Sequence, residues 1–188
     1  MACSASPFPG RSDVAGLPWY AVRVKPNFEQ TAARWLAAKG YEQLAPTYPA
    51  RRQWSDRTKD IEAPLFAGYI FCRFNPMQRL PVLQSPGVLT IVAFGKQLAA
   101  VDDREIASLQ TLLNSKYRVQ PWPFLKVGRK IAIIAGPLRG VEGIVLEAKD
   151  NYRLVVSVTL LQRSVSVEIE RRWIQPLNWL LSGANAPF

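Results

Sequence analysis

The sequence predicts an α+β fold, in which an N-terminal antiparallel sheet flanked by helices is followed by a small SH3-like β-barrel. Three observations predict it. Aromatic and β-branched runs are interspersed with two helical apolar stripes over residues 18–114. Residues 115–123 contain two prolines, and their apolar residues show no clear helix or strand periodicity. From residue 124 onward short apolar runs are separated by turns, and these fit the four or five strands of a small barrel.

The first predicted elements are a strand and a helix. Residues Trp19–Lys25 mix aromatic and β-branched side chains, which favours a strand, and the run stops at Pro26. Asn27 and Gln30 have the spacing of a helix capping box, and Gly40 is placed to end the helix. A single apolar stripe at helical spacing is expected to face the core and consists of Phe28, Ala32, Trp35 and Leu36.

A long hairpin and further strands follow. Residues 51–59 carry four positive charges and one negative charge between two extended arms, which predicts a polar hairpin tip. The apolar, aromatic run Ala63–Phe74 fits a central strand covered on both faces, and Val88–Phe94 fits another strand. Asp102 with Glu105 repeats the capping-box spacing, and the helix stripe that follows is Ile106, Leu109 and Leu113.

In the second half of the sequence, apolar and polar residues alternate, and this pattern predicts strands. Lys130–Ala135 and Val141–Ala148 flank a turn that contains Gly136 and Gly140. A later strand alternates strictly, so one face is expected in the core and the other in solvent. Its apolar face is Val165, Val167 and Ile169, and its polar face is Ser164, Ser166 and Glu168.

These elements define the predicted organisation of the chain. It consists of a disordered tail (1–17), an α+β domain (18–114), a linker (115–123), a β-barrel (124–176) and a C-terminal tail (177–188).

Composition limits the function classes. The chain has 188 residues, a net charge of +10 from 24 Lys+Arg against 14 Asp+Glu, and no histidine. The charge favours nucleic acid or another anionic partner, while the lack of histidine removes the commonest general base and zinc ligand. Two cysteines are too few for a disulfide scaffold, and Cys72 lies in an apolar run, as a reduced core thiol would. We expect a cytoplasmic binding protein, not an enzyme, without catalytic residues, metal, cofactor or membrane span.

Several segments together resemble the NusG family of transcription elongation and antitermination factors. They are Trp19–Tyr20, the first helix, the hairpin, Pro64–Tyr69 and the segment Gly136–Gly143. The first domain resembles the NusG N-terminal domain and the second resembles its KOW domain, over residues 18–176. Residues 51–57 and 83–88 are most similar to the specialised UpxY and RfaH-like paralogues.

The resemblance implies a non-catalytic factor that binds RNA polymerase and suppresses pausing or termination. In this family the N-terminal domain sits on the clamp helices of the polymerase and reaches toward the gate loop. The positions that match its apolar socket are Pro64, Leu65, Phe66, Phe71 and Phe94. Because neighbouring strand positions face opposite sides, Phe66 is expected at the surface and Tyr69 in the core. The alternative is that these aromatic residues are simply core.

The hairpin is a candidate nucleic-acid site. In the RfaH branch this region contacts non-template DNA, and an indole among guanidinium groups suits stacking on an unpaired base with phosphate contacts. Single-stranded DNA or RNA is therefore an expected partner, and the alternative is a solvated, charged turn. The candidate residues are Lys25, Arg51, Arg52, Trp54, Arg57 and Lys59.

The second domain carries two further candidate sets. The KOW motif comprises Lys126, Lys130, Arg139, Gly140 and Gly143; its cations fit a solvated rim or an RNA-facing patch equally, and its glycines have a structural explanation. The family's partner loop, which docks a ribosomal protein or the Rho terminator, matches Leu161, Gln162 and Arg163. The chain has Leu-Gln where the housekeeping pattern has Phe-Gly, which counts against Rho. The alternatives are a general housekeeping NusG factor and a ribosome-associated, RNA-binding KOW protein.

Overall fold

A computed structural model describes residues 16–53, 58–123, 129–148 and 151–176, and the chain divides into two compact units between Asp103 and Arg104. The helices are α1 (Glu29–Ala38), α2 (Leu80–Leu83) and α3 (Asp103–Asn114). The strands of the first unit are β1 (Trp19–Val24), β2 (Glu42–Leu44), β3 (Thr47–Gln53), β4 (Thr58–Pro64), β5 (Tyr69–Arg73), β6 (Val88–Ile91), β7 (Ala93–Phe94), β8 (Gln97–Leu98) and β9 (Ala100–Val101). The strands of the second unit are β10 (Gln120–Trp122), β11 (Arg129–Ile133), β12 (Glu142–Ala148), β13 (Asn151–Val158), β14 (Arg163–Ile169) and β15 (Ile174–Pro176).

The first unit is built on an antiparallel sheet in the order β2-β5-β1-β6, with β9 also paired to β1. Alternate residues of the two central strands point into one core, so that Tyr20 is opposite Cys72 and Val22 is opposite Ile70. Leu36 of α1 is fully buried in the same cluster. The α+β prediction with an antiparallel sheet is confirmed.

Cys72 is the only cysteine among the described residues, and it is fully buried in this core. Burial, and then the nearby negative charge of Glu42, raises the pKa of its thiol to about 12. The thiol is therefore protonated at neutral pH and poorly nucleophilic, as the sequence predicts for a core thiol.

Helix α1 begins at Glu29, one residue later than the capping-box spacing predicts, and the predicted capping box is wrong. Asn27 adopts a left-handed φ of 66°, the residue that precedes the helix is Phe28, and no side chain caps the helix. Gln30 instead donates a 2.8 Å hydrogen bond from Nε2 to the carbonyl of Ala45. The predicted apolar stripe is also partly wrong, since the buried face consists of Glu29, Ala32, Ala33 and Leu36.

The apolar run Ala63–Phe74 is not one strand, which corrects the prediction. It contains the end of β4, a turn over residues 65–68 and the whole of β5. Gly68 has a φ of +80°, a conformation that breaks the extended backbone and that side chains disfavour. The central position of β5 between β1 and β2 is as predicted.

The second unit contains one six-stranded antiparallel sheet, in the order β10-β14-β13-β12-β11-β15. The prediction of four or five strands over residues 124–176 is confirmed, because the five strands β11–β15 lie in that range, while β10 precedes it. Strand β10 lies inside the range predicted as an irregular linker, 115–123, and Pro121 is paired opposite Val165 of β14. The linker prediction is therefore wrong for residues 120–122.

Strands β13 and β14 are covered on both faces, although the alternating pattern predicts one face in solvent. Val165 and Val167 are buried as predicted, but Ser164 and Ser166 are also buried, with 2% and 0% exposure. The Glu105 carboxylate of α3, which the predicted capping box assigns to the start of its own helix, accepts hydrogen bonds from Thr159. Both differences arise from tertiary contacts, which local patterns do not encode.

Candidate functional site

The residues that match the polymerase socket are mostly buried. Leu65, Phe66 and Phe71 are at most 5% exposed, and Pro64 at the end of β4 is half-buried. The rings of Phe66 and Phe71 pack edge to face with their centroids 5.2 Å apart. The prediction that Phe66 faces solvent is wrong, and Tyr69 is the more exposed of the two residues.

The buried aromatic pair is held by the turn over residues 65–68. The Leu65 amide donates to the Pro46 carbonyl at 2.9 Å, and the Tyr69 amide donates to the Phe66 carbonyl at 2.9 Å. The Gly68 amide donates to Oε1 of Glu29 at 2.8 Å, and this carboxylate is only 4% exposed. Glu29 therefore fixes the turn that positions Phe66. Sequence reasoning missed this residue because it places glutamate on the solvent face of α1.

Phe94 is the one member of the socket set that presents a surface. It lies in the short β7–β8 hairpin, is paired opposite Gln97 and is 74% exposed. The turn that follows uses Gly95 with a φ of +61°. An exposed phenylalanine on a two-residue strand does little for folding and is available to a partner.

The basic hairpin is confirmed as a separate two-stranded sheet of β3 and β4. Its register pairs Arg51 with Asp60 and Arg52 with Lys59. Arg51 Nε lies 3.2 Å from Asp60 Oδ1, and both side chains are 76% exposed, so this ion pair contributes little to stability.

The other nucleic-acid candidates have different positions. Trp54 and Arg57 lie outside the described residues. Lys25 is exposed at the end of β1, where its amide donates to the Gly87 carbonyl at 2.8 Å. It therefore belongs to the main sheet, whereas the other cations belong to the hairpin.

The KOW candidates lie on strands β11 and β12 and on the turn that joins them, apart from Lys126, which is outside the described residues. Lys130 and Arg139 are exposed. Gly140 has a φ of +87°, and its amide donates to the Ile133 carbonyl at 2.8 Å. A Cβ on Gly143 would lie 2.5 Å from the Val155 carbonyl oxygen, so only glycine fits there. The structural explanation of both glycines is therefore correct.

The partner-loop candidates follow a single 3₁₀ turn, Thr159–Leu161, that joins β13 to β14. Gln162 is exposed and left-handed, with a φ of 49°, while Leu161 and Arg163 are half-buried. The turn is fixed by Glu105, whose carboxylate oxygens lie 3.2 Å from the Thr159 amide nitrogen and 2.6 Å from its hydroxyl oxygen.

Two exposed aromatic residues on α1 were not predicted as surface. Phe28 is 40% exposed and Trp35 is 50% exposed, although the apolar stripe places both in the core. Phe28 is confined by the backbone, because a Cβ on Gly87 would lie 2.6 Å from its ring. A competing stripe at positions 29, 32, 33 and 36 has equally regular helical spacing. This stripe was the only feature of the sequence that could have indicated that Phe28 and Trp35 are exposed.

In the described ranges no three or more Cys, Asp or Glu side chains are grouped so that they could hold a metal ion. None of the described helices is long and apolar enough to cross a membrane.

An antiparallel α+β unit with a separate basic hairpin, followed by a unit built on a six-stranded sheet, has the features of a protein that binds macromolecules. The family model described as "Transcription termination factor nusG" matches residues 17–110, which include the main sheet and the hairpin. The chain therefore belongs to the NusG family of transcription termination and antitermination factors. Members of this family are non-enzymatic and interact with RNA polymerase and nucleic acids.

Similar proteins are distant in sequence and extend along most of the chain. The transcription termination/antitermination protein NusG of Helicobacter pylori is 21% identical, over 81% of this chain and 94% of its own length. A solved structure of Thermotoga maritima NusG is 24% identical and covers 85% of this chain and 97% of its own, with a TM-score of 0.47. A crystal structure of the MjSpt4:Spt5 complex is 15% identical and covers 85% of this chain and 97% of its own, with a TM-score of 0.28.

Proposed function

We propose that this protein binds RNA polymerase through its first unit and suppresses pausing or termination, as a cytoplasmic, operon-specific paralogue within its family. The observation that carries the proposal is that the family match falls on the unit with the exposed Phe94 and the cationic hairpin. Similarity of residues 51–57 to the UpxY and RfaH-like branch supports the specialised role over the housekeeping one.

In this proposal Phe94 contacts the polymerase directly, and the clamp helices are its partner. Pro64 borders the contact, while Leu65, Phe66 and Phe71 are buried and belong to the core of the same unit. The hairpin extends toward the gate loop and the non-template strand. A large apolar anchor in such a contact contributes about 2 kcal/mol or more to binding.

Phe94→Ala tests the polymerase contact. We expect it to weaken binding to core RNA polymerase by about 30-fold, corresponding to roughly 2 kcal/mol, without loss of stability, because the ring is exposed. Affinity is measured by titration of labelled protein with purified core enzyme. Met77→Ala is the matched control, since Met77 is an apolar side chain of the same unit that is 89% exposed. Equal affinities of the two variants would contradict the assignment of Phe94.

We further propose that the hairpin cations, with Lys25, contact single-stranded nucleic acid. The grouping of Arg51, Arg52 and Lys59 on one two-stranded hairpin supports this role, because clustered cations favour an anionic partner. Trp54 would stack on an unpaired base.

Arg52→Ala tests the nucleic-acid contact through its salt dependence. Loss of one phosphate contact on a single strand should flatten the slope of log K against log salt by about 0.7. Binding to a single-stranded oligonucleotide is measured across a salt series. Arg172→Ala removes the same charge from an arginine that pairs with Glu170 in the second unit, and it should leave the slope unchanged. If Arg52→Ala leaves the slope unchanged, the hairpin is a solvated, charged turn and the proposed nucleic-acid contact is contradicted.

For the second unit we propose a protein-docking role for Leu161, Gln162 and Arg163, with a ribosomal protein as the expected partner. The exposed Gln162 supports this role, since an exposed residue of a connecting turn is accessible to a partner. Rho is the less favoured partner because the Leu-Gln pair differs from the housekeeping pattern. Lys130 and Arg139 are proposed as an RNA-facing rim.

A further inference from the structure

Two buried polar side-chain atoms lie on one face of the sheet in the second unit. Arg153 of β13 is opposite Glu168 of β14. Ser166, two residues before Glu168, is on the same face and is a diagonal neighbour of Arg153. Ser166 is fully buried. Within the described part of the chain, the Ser166 hydroxyl and Arg153 Nε are both buried without a hydrogen-bond partner.

The contacts of Arg153 direct its side chain along this face toward Ser166. Its Nη2 lies 3.0 Å from Glu168 Oε1. Its Cζ lies 4.5 Å from the centroid of the Trp122 ring, and Trp122 of β10 is opposite Ser164. Ser166 lies midway between these two contact positions on β14. A guanidinium that makes both contacts must therefore extend along the row toward the Ser166 hydroxyl.

The chemistry of the two atoms suits a water molecule between them. Arginine Nε only donates a hydrogen bond, whereas a serine hydroxyl both donates and accepts. Buried polar groups that lack a protein partner commonly bind ordered water, and such a water makes about three hydrogen bonds. Gln120 of β10 is opposite Ser166 and brings a side-chain amide to the same row, so the row offers a third partner.

We infer that one buried water molecule bridges Arg153 Nε and the Ser166 hydroxyl. The water accepts a hydrogen bond from Nε and exchanges one with the hydroxyl, which removes the cost of burying both groups unpaired. It also holds the guanidinium where it stacks on Trp122, a residue of the edge strand β10. The water is therefore a structural ligand that ties the edge strand to the centre of the sheet. It belongs to the free protein and does not depend on the proposed function.

A high-resolution crystal structure of the full chain tests the position of the water directly. We expect an ordered water within about 3.2 Å of both Arg153 Nε and Ser166 Oγ, the limit for such hydrogen bonds. A protein atom in that position, or a direct bond between the two side chains, would overturn the inference. Empty density between the two side chains would also overturn it.

Ser166→Ala tests the bridge by the sign of its effect on hydrogen exchange of the β13 amides. If the hydroxyl binds the water, the substitution removes about one hydrogen bond and should speed exchange by about fivefold. If the hydroxyl is unpaired, the substitution removes a buried polar group at no loss and should slow exchange. Unchanged or slower exchange therefore contradicts the bridge.

Arg153→Lys shows whether Ser166 acts through the arginine, because lysine keeps the positive charge and lacks Nε. In this background the effect of Ser166→Ala should fall below about twofold, since the water has lost the partner that it bridges. Ser108→Ala is the matched control, because Ser108 is a buried serine of α3 in the same unit. Its effect should be the same in both backgrounds. An equal effect of Ser166→Ala in both backgrounds would contradict the bridge.

Discussion

Phe66→Ala is expected to destabilise the first unit by about 3–5 kcal/mol, the usual cost of removing a fully buried phenylalanine. The ring is 1% exposed and packs edge to face on Phe71, so truncation removes both buried area and an aromatic contact. The turn over residues 65–68 is fixed by several backbone hydrogen bonds, which limits collapse of the surroundings into the cavity. Polymerase binding would then fall because the fold is weakened.

Native-state hydrogen exchange at the amides of β1 and β5 measures this loss in the full chain, since these central strands report the opening of the first unit. Phe94→Ala is the control, because its ring is 74% exposed and its truncation should cost less than about 0.5 kcal/mol. A loss below about 1 kcal/mol for Phe66→Ala would mean that this ring is not part of the core.

Gly143→Ala is expected to destabilise the second unit by about 3 kcal/mol, at the upper end of ordinary overpacking. The added Cβ would lie 2.5 Å from the Val155 carbonyl oxygen and 2.8 Å from Leu154 Cδ1. A flexible side chain could move away, but the carbonyl belongs to β13, which is hydrogen-bonded between β12 and β14. Strand β12 must therefore shift away from β13.

Hydrogen exchange at Val155 and Val156 in β13 measures the effect of Gly143→Ala. The control is Gly140→Asn, which adds a side chain where nothing lies within 4 Å and where φ is +87°. Asparagine tolerates this left-handed conformation, so the control should cost less than about 1 kcal/mol. Similar losses for the two variants would show that close approach to β13 does not explain Gly143.

Much of the fold follows from local patterns, and the exceptions share a physical cause. The hairpin of β3 and β4, the central strand β5 and the alternating strands of the second unit follow from periodicity and turn residues. Helix α1 shows the limit of this reasoning, because two stripes of equal regularity compete and the one with fewer aromatic residues is buried. The buried amide of Gly68 needs an acceptor, and Glu29 supplies one.

The sequence predicts which residues belong to the candidate site better than it predicts which of them are exposed. The hairpin cations follow from composition, but the pairing of Arg51 with Asp60 needs the strand register. For the socket set, alternation along a strand does not apply to Phe66, because it lies in a turn. Phe94 is exposed because its strand ends after two residues, which side-chain preferences do not specify.

The separation of the basic hairpin from the main sheet has an evolutionary consequence. Because β3 and β4 pair only with each other, residues 54–57 can change in identity or number without altering the register of the central strands. Lengthening a connection is cheap, since doubling it costs only about 0.6 kcal/mol of closure entropy. Related chains can therefore diversify the tip, and with it the nucleic-acid contact proposed for the hairpin, while they inherit the same core. Paralogues that serve different genes within one cell could arise by substitutions confined to this tip.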